Sequence, residues 1–319
     1  MYNVSVSPHV RDKSSTQKIM LDVAIALLPT LGWGVYRFGL KALLLIIISV
    51  ASCIIFEALF ELITKKPITV FDFSAAVTGL IIAVNLPPTA SWWMPVLGSA
   101  FGIIAAKMLF GGLGQNFMNP ALAGRCFLVI SFTQRMTNFA VDGVSSATPL
   151  AEMKAGESVD LLTLFLGNHN GCIGEVSALC ILIGAAYLLI KKIISPVIPF
   201  VYILSTVAII AIIRLITGDE VTVQYLAAQA LSGGLLVGAF FMATDYVTSP
   251  ITNRGKVVFA LLLGLLTALF RTLGSTAEGV SYAIIIGNLL VPLIEKKTVP
   301  LPFGCERVKK IKAAKEESK

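Results

Sequence analysis

The chain predicts an all-α, polytopic membrane protein with about ten transmembrane helices, some of them broken, and three observations carry that expectation. Hydrophobic residues make up 56% of the 319 and charged residues only 13%, outside the balance of a soluble domain. Mean hydropathy is +0.85. Apolar segments approaching the roughly 20 residues that a spanning helix needs recur along the sequence, and several are interrupted by Pro or Gly.

Taken in order, residues 1–20 are polar and lack an apolar core followed by a small-residue cleavage site, so they read as a cytoplasmic N-terminal segment rather than a cleaved signal. Spans are expected near 21–38, 40–63, 72–86, 92–110 and 116–132, a first five-helix unit over 21–132. A long polar stretch, 133–174, follows; loops of that length are uncommon in compact domains unless they are functional or disordered. Spans near 175–194, 196–217, 224–244, 257–273 and 276–295 make a second unit over 175–295, and a basic tail, 296–319, closes the chain. The units share punctuation. The third segment of one carries Thr78-Gly79 and stops at Pro87-Pro88; the third of the other carries Ser232-Gly233-Gly234 with Pro250 beyond. Since five is odd, a duplicated five-span unit enters the membrane with opposite orientation, which makes the expected architecture an inverted repeat.

Lysine and arginine set the orientation. With the N-terminus in the cytoplasm, Arg11, Lys13, Lys18, Lys65, Lys66, Lys107, Lys191, Lys192, Arg254, Lys256 and the eight cations of the tail lie inside, eighteen of the 25. Arg37, Lys41, Arg125, Arg135, Lys154, Arg214 and Arg271 remain within spans or outside, the asymmetry of the positive-inside rule. Both termini are thus expected in the cytoplasm and 133–174 on the outer face. The net charge of +7 follows from this topology, which leaves nucleic acid without support as a partner. The tail suits neighbouring subunits or anionic membrane lipid.

Within the outer stretch, Asp142-Gly143-Val144-Ser145-Ser146-Ala147-Thr148 has the form of a flavin-phosphate acceptor: Asp, two spacers, Ser or Thr, Gly or Ser, Ala, Thr. In such sequences the last hydroxyl, here that of Thr148, is esterified by the phosphate of FMN. Small neighbours leave room for a bulky ring close to the backbone. Asp, Gly, Ser and Thr are equally what an exposed turn uses. Asn119-Pro120 reads as the N-cap and first position of a helix, and Arg125 follows about one and a half turns on. Two readings of that terminus stand: it holds a flavin phosphate or ring oxygen, or Arg125 simply pairs with a carboxylate. Glu57 is a candidate for ion or proton handling, though Glu61 one turn on favours a solvated helix face, and Lys107 reads as a side chain that snorkels to the interface. Asp72 and Asp245, near the cytoplasmic ends of the third and eighth spans, read as helix-end residues or subunit contacts rather than catalytic groups. The five cysteines contain no Cys-x-x-Cys pair, and His9 and His169 have no partner at metal-ligand spacing. No residue is assigned a catalytic or metal-binding role, and no nucleophile triad or phosphate loop is present.

Three stretches together resemble one family: Gly79 to Trp93 with Asn85-Leu86-Pro87-Pro88-Thr89 and Trp92-Trp93; Gly111-Gly112-Leu113-Gly114-Gln115-Asn116 leading to Asn119-Pro120-Ala121; and the acceptor ending Ala147-Thr148-Pro149-Leu150. The chain is similar along its whole length to the D subunits of bacterial Rnf complexes, relatives of the B subunit of sodium-pumping NADH:quinone reductase. A first span at about residue 21, without the longer N-terminal extension usual in the B subunit, favours the former. The resemblance implies a urea-channel-like inverted repeat in the bacterial inner membrane, with FMN joined to Thr148 by a separate flavin transferase that uses FAD. Asp142, Ser145, Ser146 and Ala147 would be motif positions around the acceptor. It further implies a relay from reduced ferredoxin to NAD+ coupled to outward Na+ or H+ movement, and other Rnf subunits as partners. Some relatives hold a noncovalent riboflavin as well. The rival from another class is a flavin-free, neutral-solute channel.

Overall fold

A computed structural model describes residues 15–139, 148–157, 159–218, 220–274 and 279–300. Among them all regular structure is helical. The first unit contains α1 (Thr16–Phe38), α2 (Leu40–Thr64), α3 (Ser74–Val84), α4 (Trp93–Ala100) and α5 (Pro120–Ser131). Helix α4 runs on through a π-helical stretch, Phe101–Lys107, and a 3-10 turn, Met108–Phe110. Short helices α6 (Thr133–Met136), α7 (Pro149–Lys154) and α8 (Leu161–Leu166) occupy the polar stretch. The second unit contains α9 (Ala178–Ile190), α10 (Val197–Thr217), α11 (Val223–Leu231), α12 (Leu235–Val237, continuing to Met242 as a π-helical stretch), α13 (Asn253–Leu273) and α14 (Val280–Thr298).

Every expected span thus contains a helix, but not always one of spanning length. Five are long and apolar enough to cross a membrane: α1, α2, the continuous 93–110 segment, α10 and α13; α11 and α12, bent by 58° at Ser232–Gly234, make a sixth if counted as one. Helices α3, α5 and α9 have 11, 12 and 13 residues, shorter than the spans expected at 72–86, 116–132 and 175–194. Side-chain caps start them late. Asp72 accepts from the Ser74 amide (2.8 Å), Asn119 from Ala121 and Leu122, and Ser177 from Cys180 (3.3 Å). At about 1.5 Å per residue, such helices reach only half-way across a bilayer core.

Their inner ends meet inside the protein. Asn119 Nδ2 donates to the Met242 carbonyl at 3.3 Å, joining the start of α5 to the end of the α12 segment, and Asn85, which follows α3, lies against the Met242 sulfur. With its amide oriented by the surrounding donors and acceptors, Asn288 of α14 donates to the Thr248 carbonyl (3.1 Å) and accepts from the Asn119 amide (3.2 Å). Irregular backbone at membrane depth survives only when protein groups satisfy it, and these amides do so.

The packing is parallel in the two units. Helix α2 packs on α4 and α10 on α13; α4 packs on α5 and α13 on α14; α1–α9 and α5–α14 contacts join the halves. Thr16, at the start of α1, lines a cavity with Ile193 and Asp245, and the Ile251 amide donates to Glu295 near the end of α14, so the described ends share one face. The described parts of the polar stretch lie on the opposite face, where Trp33 donates to the Gly167 carbonyl and Lys154 to that of Gly274.

Small residues set the α1–α9 crossing. A Cβ at Gly184 would sit 2.1 Å from the Ala26 carbonyl oxygen, whereas one at Gly32 on α1 meets nothing within 4 Å. Gly184→Ala is expected to destabilise the protein by about 1–3 kcal/mol through overpacking. Gly32→Ala should be neutral or gain up to about 1 kcal/mol of helix propensity. Thermal unfolding in detergent distinguishes the two; equal midpoints would contradict the crossing.

Candidate functional site

Thr148 immediately precedes α7 in extended conformation, and its carbonyl, not its hydroxyl, caps the helix: the Ala151 and Glu152 amides bond to Thr148 O at 2.8 and 3.0 Å. Pro149 at the first helical position needs no amide acceptor. The half-buried hydroxyl is therefore not consumed in capping. Leu150, two residues on, is buried against Gly233 at the α11–α12 break. That break is built by Gly233 and Gly234, both with positive φ (64° and 67°), a turn glycine adopts without strain.

Arg271, in the last turn of α13 and 5% exposed, closes the broken backbone: its guanidinium donates to the carbonyls of Gln229 (2.6 Å), Ser232 (2.9 Å) and Gly233 (3.3 Å) and to Gln229 Oε1. Beside it Ser232 Oγ is buried with no hydrogen-bond partner among the described residues. Lys154, Arg214, Tyr225, Gln229 and Arg271 line a cleft of about 230 Å³ against α7, and Arg214 lies over the Tyr225 ring at 4.0 Å.

Asn119 and Arg125 are brought together on α5, but Arg125 points into a network of its own. Its guanidinium, 6% exposed, donates to Asn85 Oδ1 (2.6 Å), Ser281 Oγ (2.9 Å) and Glu175 Oε1 (3.3 Å). Of the two readings of Arg125, the structure contains the pairing with a carboxylate. Glu175 adjoins Gly234, so Arg125 is linked to the Thr148 segment through the α11–α12 break rather than by direct contact. Asp142, Ser145, Ser146 and Ala147 lie outside the described residues, as do residues 1–14 and the tail beyond 300.

Two sequence expectations are corrected. Glu57 and Lys107 are 1% and 2% exposed and form an ion pair of 2.6 Å; Lys107 also donates to Ser74 Oγ (2.6 Å). Lys107 does not snorkel, because the π-helical stretch that it ends turns it inward toward α2 and α3. Nor do the two glutamates form a solvated face: Glu61, 1% exposed, accepts from the Thr69 amide and hydroxyl. Asp72 does have its expected helix-end role. Lys107 borders a mostly apolar cavity of about 390 Å³ that opens on the termini's face, with Asn116, Asn119, Thr244 and Asp245 among its polar walls. Burial pushes the Asp245 carboxyl above its ordinary range, against hydrogen bonds from Thr248 and Asn116. Among the described residues no group of three His, Cys, Asp or Glu side chains gathers as a metal site.

The family model described as "NQR2, RnfD, RnfE family" matches residues 3–304. The chain belongs to this family. Among relatives, the D subunit of the Na(+)-translocating ferredoxin:NAD(+) oxidoreductase complex of Acetobacterium woodii is 48% identical over 316 residues, 96% of each chain. The proton-translocating counterpart of Clostridium ljungdahlii is 40% identical, covering 96% of this chain and 97% of its own. The D subunit of an ion-translocating oxidoreductase complex of Escherichia coli is 34% identical over 95% of this chain and 99% of its own.

Within this family member, the Glu57–Lys107 pair offers a sharp test of burial. Glu57→Gln leaves a buried ammonium without its counter-charge and is expected to cost about 3–5 kcal/mol, whereas Glu57→Leu combined with Lys107→Met removes both charges and recovers most of that loss. Detergent unfolding midpoints of both variants check this; a double variant no better than Glu57→Gln would exclude the ion pair.

Proposed function

We propose that this chain carries FMN esterified to Thr148 and acts as an electron carrier within an ion-translocating ferredoxin:NAD+ oxidoreductase. Near-full-length likeness to D subunits makes it a membrane subunit of such a complex, with the other Rnf subunits as partners. That likeness favours a D subunit over the B subunit of a sodium-pumping NADH:quinone reductase. The observation that carries the flavin is local: a threonine closing an acceptor sequence, its hydroxyl left over by the helix cap that its own carbonyl provides.

The residues fit the group. In maturation by a flavin transferase, the Thr148 oxygen forms the new bond to the FMN phosphorus of FAD and AMP leaves, the hydroxyl proton passing to solvent. Pro149 and the buried Leu150 and Met153 fix the acceptor against α11–α13, so the tether starts from an anchored turn. Asp142, Ser145, Ser146 and Ala147 serve transferase recognition. Arg125 and Asn119 support the site from within, by holding the ends of α3, α5 and the α12 segment. FMN bound there supplies one-electron carriage, and attachment replaces a binding equilibrium by an effective concentration.

The parallel packing of the two units supports the domain reading: a 21–132 repeat, a flavin-bearing segment over 133–174 and a 175–295 repeat of inverted orientation. With the termini in the cytoplasm, as the cation distribution favours, Thr148 faces outward. The cavity of about 390 Å³ on the opposite face suits a noncovalent riboflavin; it has the size of a small-molecule site, roughly 300–1,000 Å³, and apolar walls with a few amide groups.

Intact mass of the chain made beside an active transferase tests the anchor. Wild-type protein is expected to gain the mass of one FMN phosphoester and to fluoresce in a denaturing gel, Thr148→Ser to retain part of that, and Thr148→Ala to lose it while still inserting. Undiminished fluorescence of Thr148→Ala would falsify the site.

A further inference from the structure

We propose that the cleft between the start of α2 and the start of α4 binds an anionic phospholipid of the leaflet opposite the termini, with its phosphate at Lys41 and Arg135 and its acyl chains along the two helices. The cleft, of about 350 Å³, has Lys41, Leu44 and Leu45 of α2 on one side and residues 89–93, ending in Trp92-Trp93, on the other. Both walls begin at one level. Helix α1 starts on the termini's face, so α2 starts on the opposite one, and the 93–110 segment starts beside it, because its Lys107 pairs with Glu57 well down α2. Both α2 and that segment are long and apolar enough to cross a membrane, so the cleft opens downward onto hydrocarbon.

The walls are graded as a phospholipid is. At the mouth stand the exposed Lys41 and Ser91, whose hydroxyl accepts from Arg135 of α6 at 3.1 Å. One turn deeper come Leu44 and Leu45, and exposed apolar side chains continue below them at helical spacing, Ile47 on α2 and Leu97 and Phe101 on the facing segment. Trp92, 64% exposed, and Trp93 put indole rings at the level where aromatic belts meet headgroups. The sign of the headgroup follows from the same walls. Lys41 is the charged residue lining the cleft among the described residues, and no carboxylate lines it. It lies in the first turn of α2, which has neither an acidic residue nor a side-chain cap, and a cation at that end of a helix is disfavoured until an anion joins it. Arg135 adds to the field: its contacts, the Ser91 hydroxyl and the Trp93 ring at 5.3 Å, are neutral and leave its charge in place. A lipid phosphate meets this field without the ammonium that a zwitterionic headgroup would bring with it.

The test follows tryptophan fluorescence of the full chain in phosphatidylcholine vesicles as brominated phosphatidylglycerol is added, against brominated phosphatidylcholine at the same mole fractions. Two of the three tryptophans line the cleft, and Trp33 is common to every variant. Wild-type protein should favour the anionic quencher by about tenfold, and Lys41→Gln, an exposed change that spares folding, should cut that preference about fivefold, the factor that one cation near an anionic surface supplies. Lys41→Arg should keep the preference, Arg135→Gln should weaken it, and Lys154→Gln, an exposed cation of another cleft on the same face, should leave it unchanged. In the whole complex, a benzophenone side chain in place of Leu44 should cross-link to phospholipid in which phosphatidylglycerol exceeds its share of the membrane. Equal quenching by the two lipids, or a preference untouched in Lys41→Gln, overturns the proposal. So does a cross-link from position 44 to a neighbouring subunit or to another part of this chain. Relief of the quenching by free glycerol 3-phosphate overturns it as well, since the ligand would then be a soluble phosphate compound.

Discussion

Interrupted helices inside a membrane protein present backbone amides and carbonyls that lipid cannot satisfy, and closing those ends is the constraint on which this fold depends. One buried cation closes broken backbone directly, and two more tie together the side chains at interrupted helix ends. Lys107 reaches Ser74 at the start of α3, Arg125 reaches Asn85 just beyond its end and Ser281 in the first turn of α14, and Arg271 gathers the carbonyls of the α11–α12 break. Each is itself expensive to bury, and for two of them a carboxylate, Glu57 or Glu175, shares the site. Cation and broken helix therefore stabilise one another, and removing either leaves the other exposed to an apolar medium.

The same arrangement positions Thr148. Because Arg271 holds the α11–α12 break in a fixed shape, Gly233 offers a flat place where Leu150 can sit, and α7 is seated there although it has only six residues. A helix so short has little intrinsic stability. Its order comes from tertiary contact, which is why Thr148, at its start, has a defined place at the edge of a long polar stretch.

Much of this was legible in the sequence where the determinants are local. Apolar length located α1, α2, α10 and α13, and Asn119-Pro120 marked the start of α5. What failed was long-range. Glu57 and Lys107 are 50 residues apart, so neither carries a local sign that the other neutralises it, and a lone intramembrane lysine near a helix end is read as snorkelling. Arg125 had two readings because its partners Asn85, Glu175 and Ser281 come from three other elements. The shortness of α3 and α9 was equally hidden: hydropathy continues past their ends, and only the caps at Asp72 and Ser177 and the Pro87-Pro88 stop say where helix gives way to loop.

The middle of the molecule also bears on what this helical arrangement is for. A solute channel needs a lumen joining its two faces. Here the cavity on the termini's face is bounded inward by Asn119, whose amide is bonded to the Met242 carbonyl; beyond it Arg125 joins Asn85, Ser281 and Glu175, and Glu175 abuts Gly234 at the break beneath Leu150. These groups are buried and bonded to one another, so the centre is filled by a charged, hydrogen-bonded plug. Moving a solute through it would require breaking a buried ion pair, at several kcal/mol for each passage. Electrons need no lumen. A scaffold with a cavity on one face, the anchored α7 turn on the other and a packed polar centre between them is suited to a subunit of an electron-transport complex that keeps water and solutes from following.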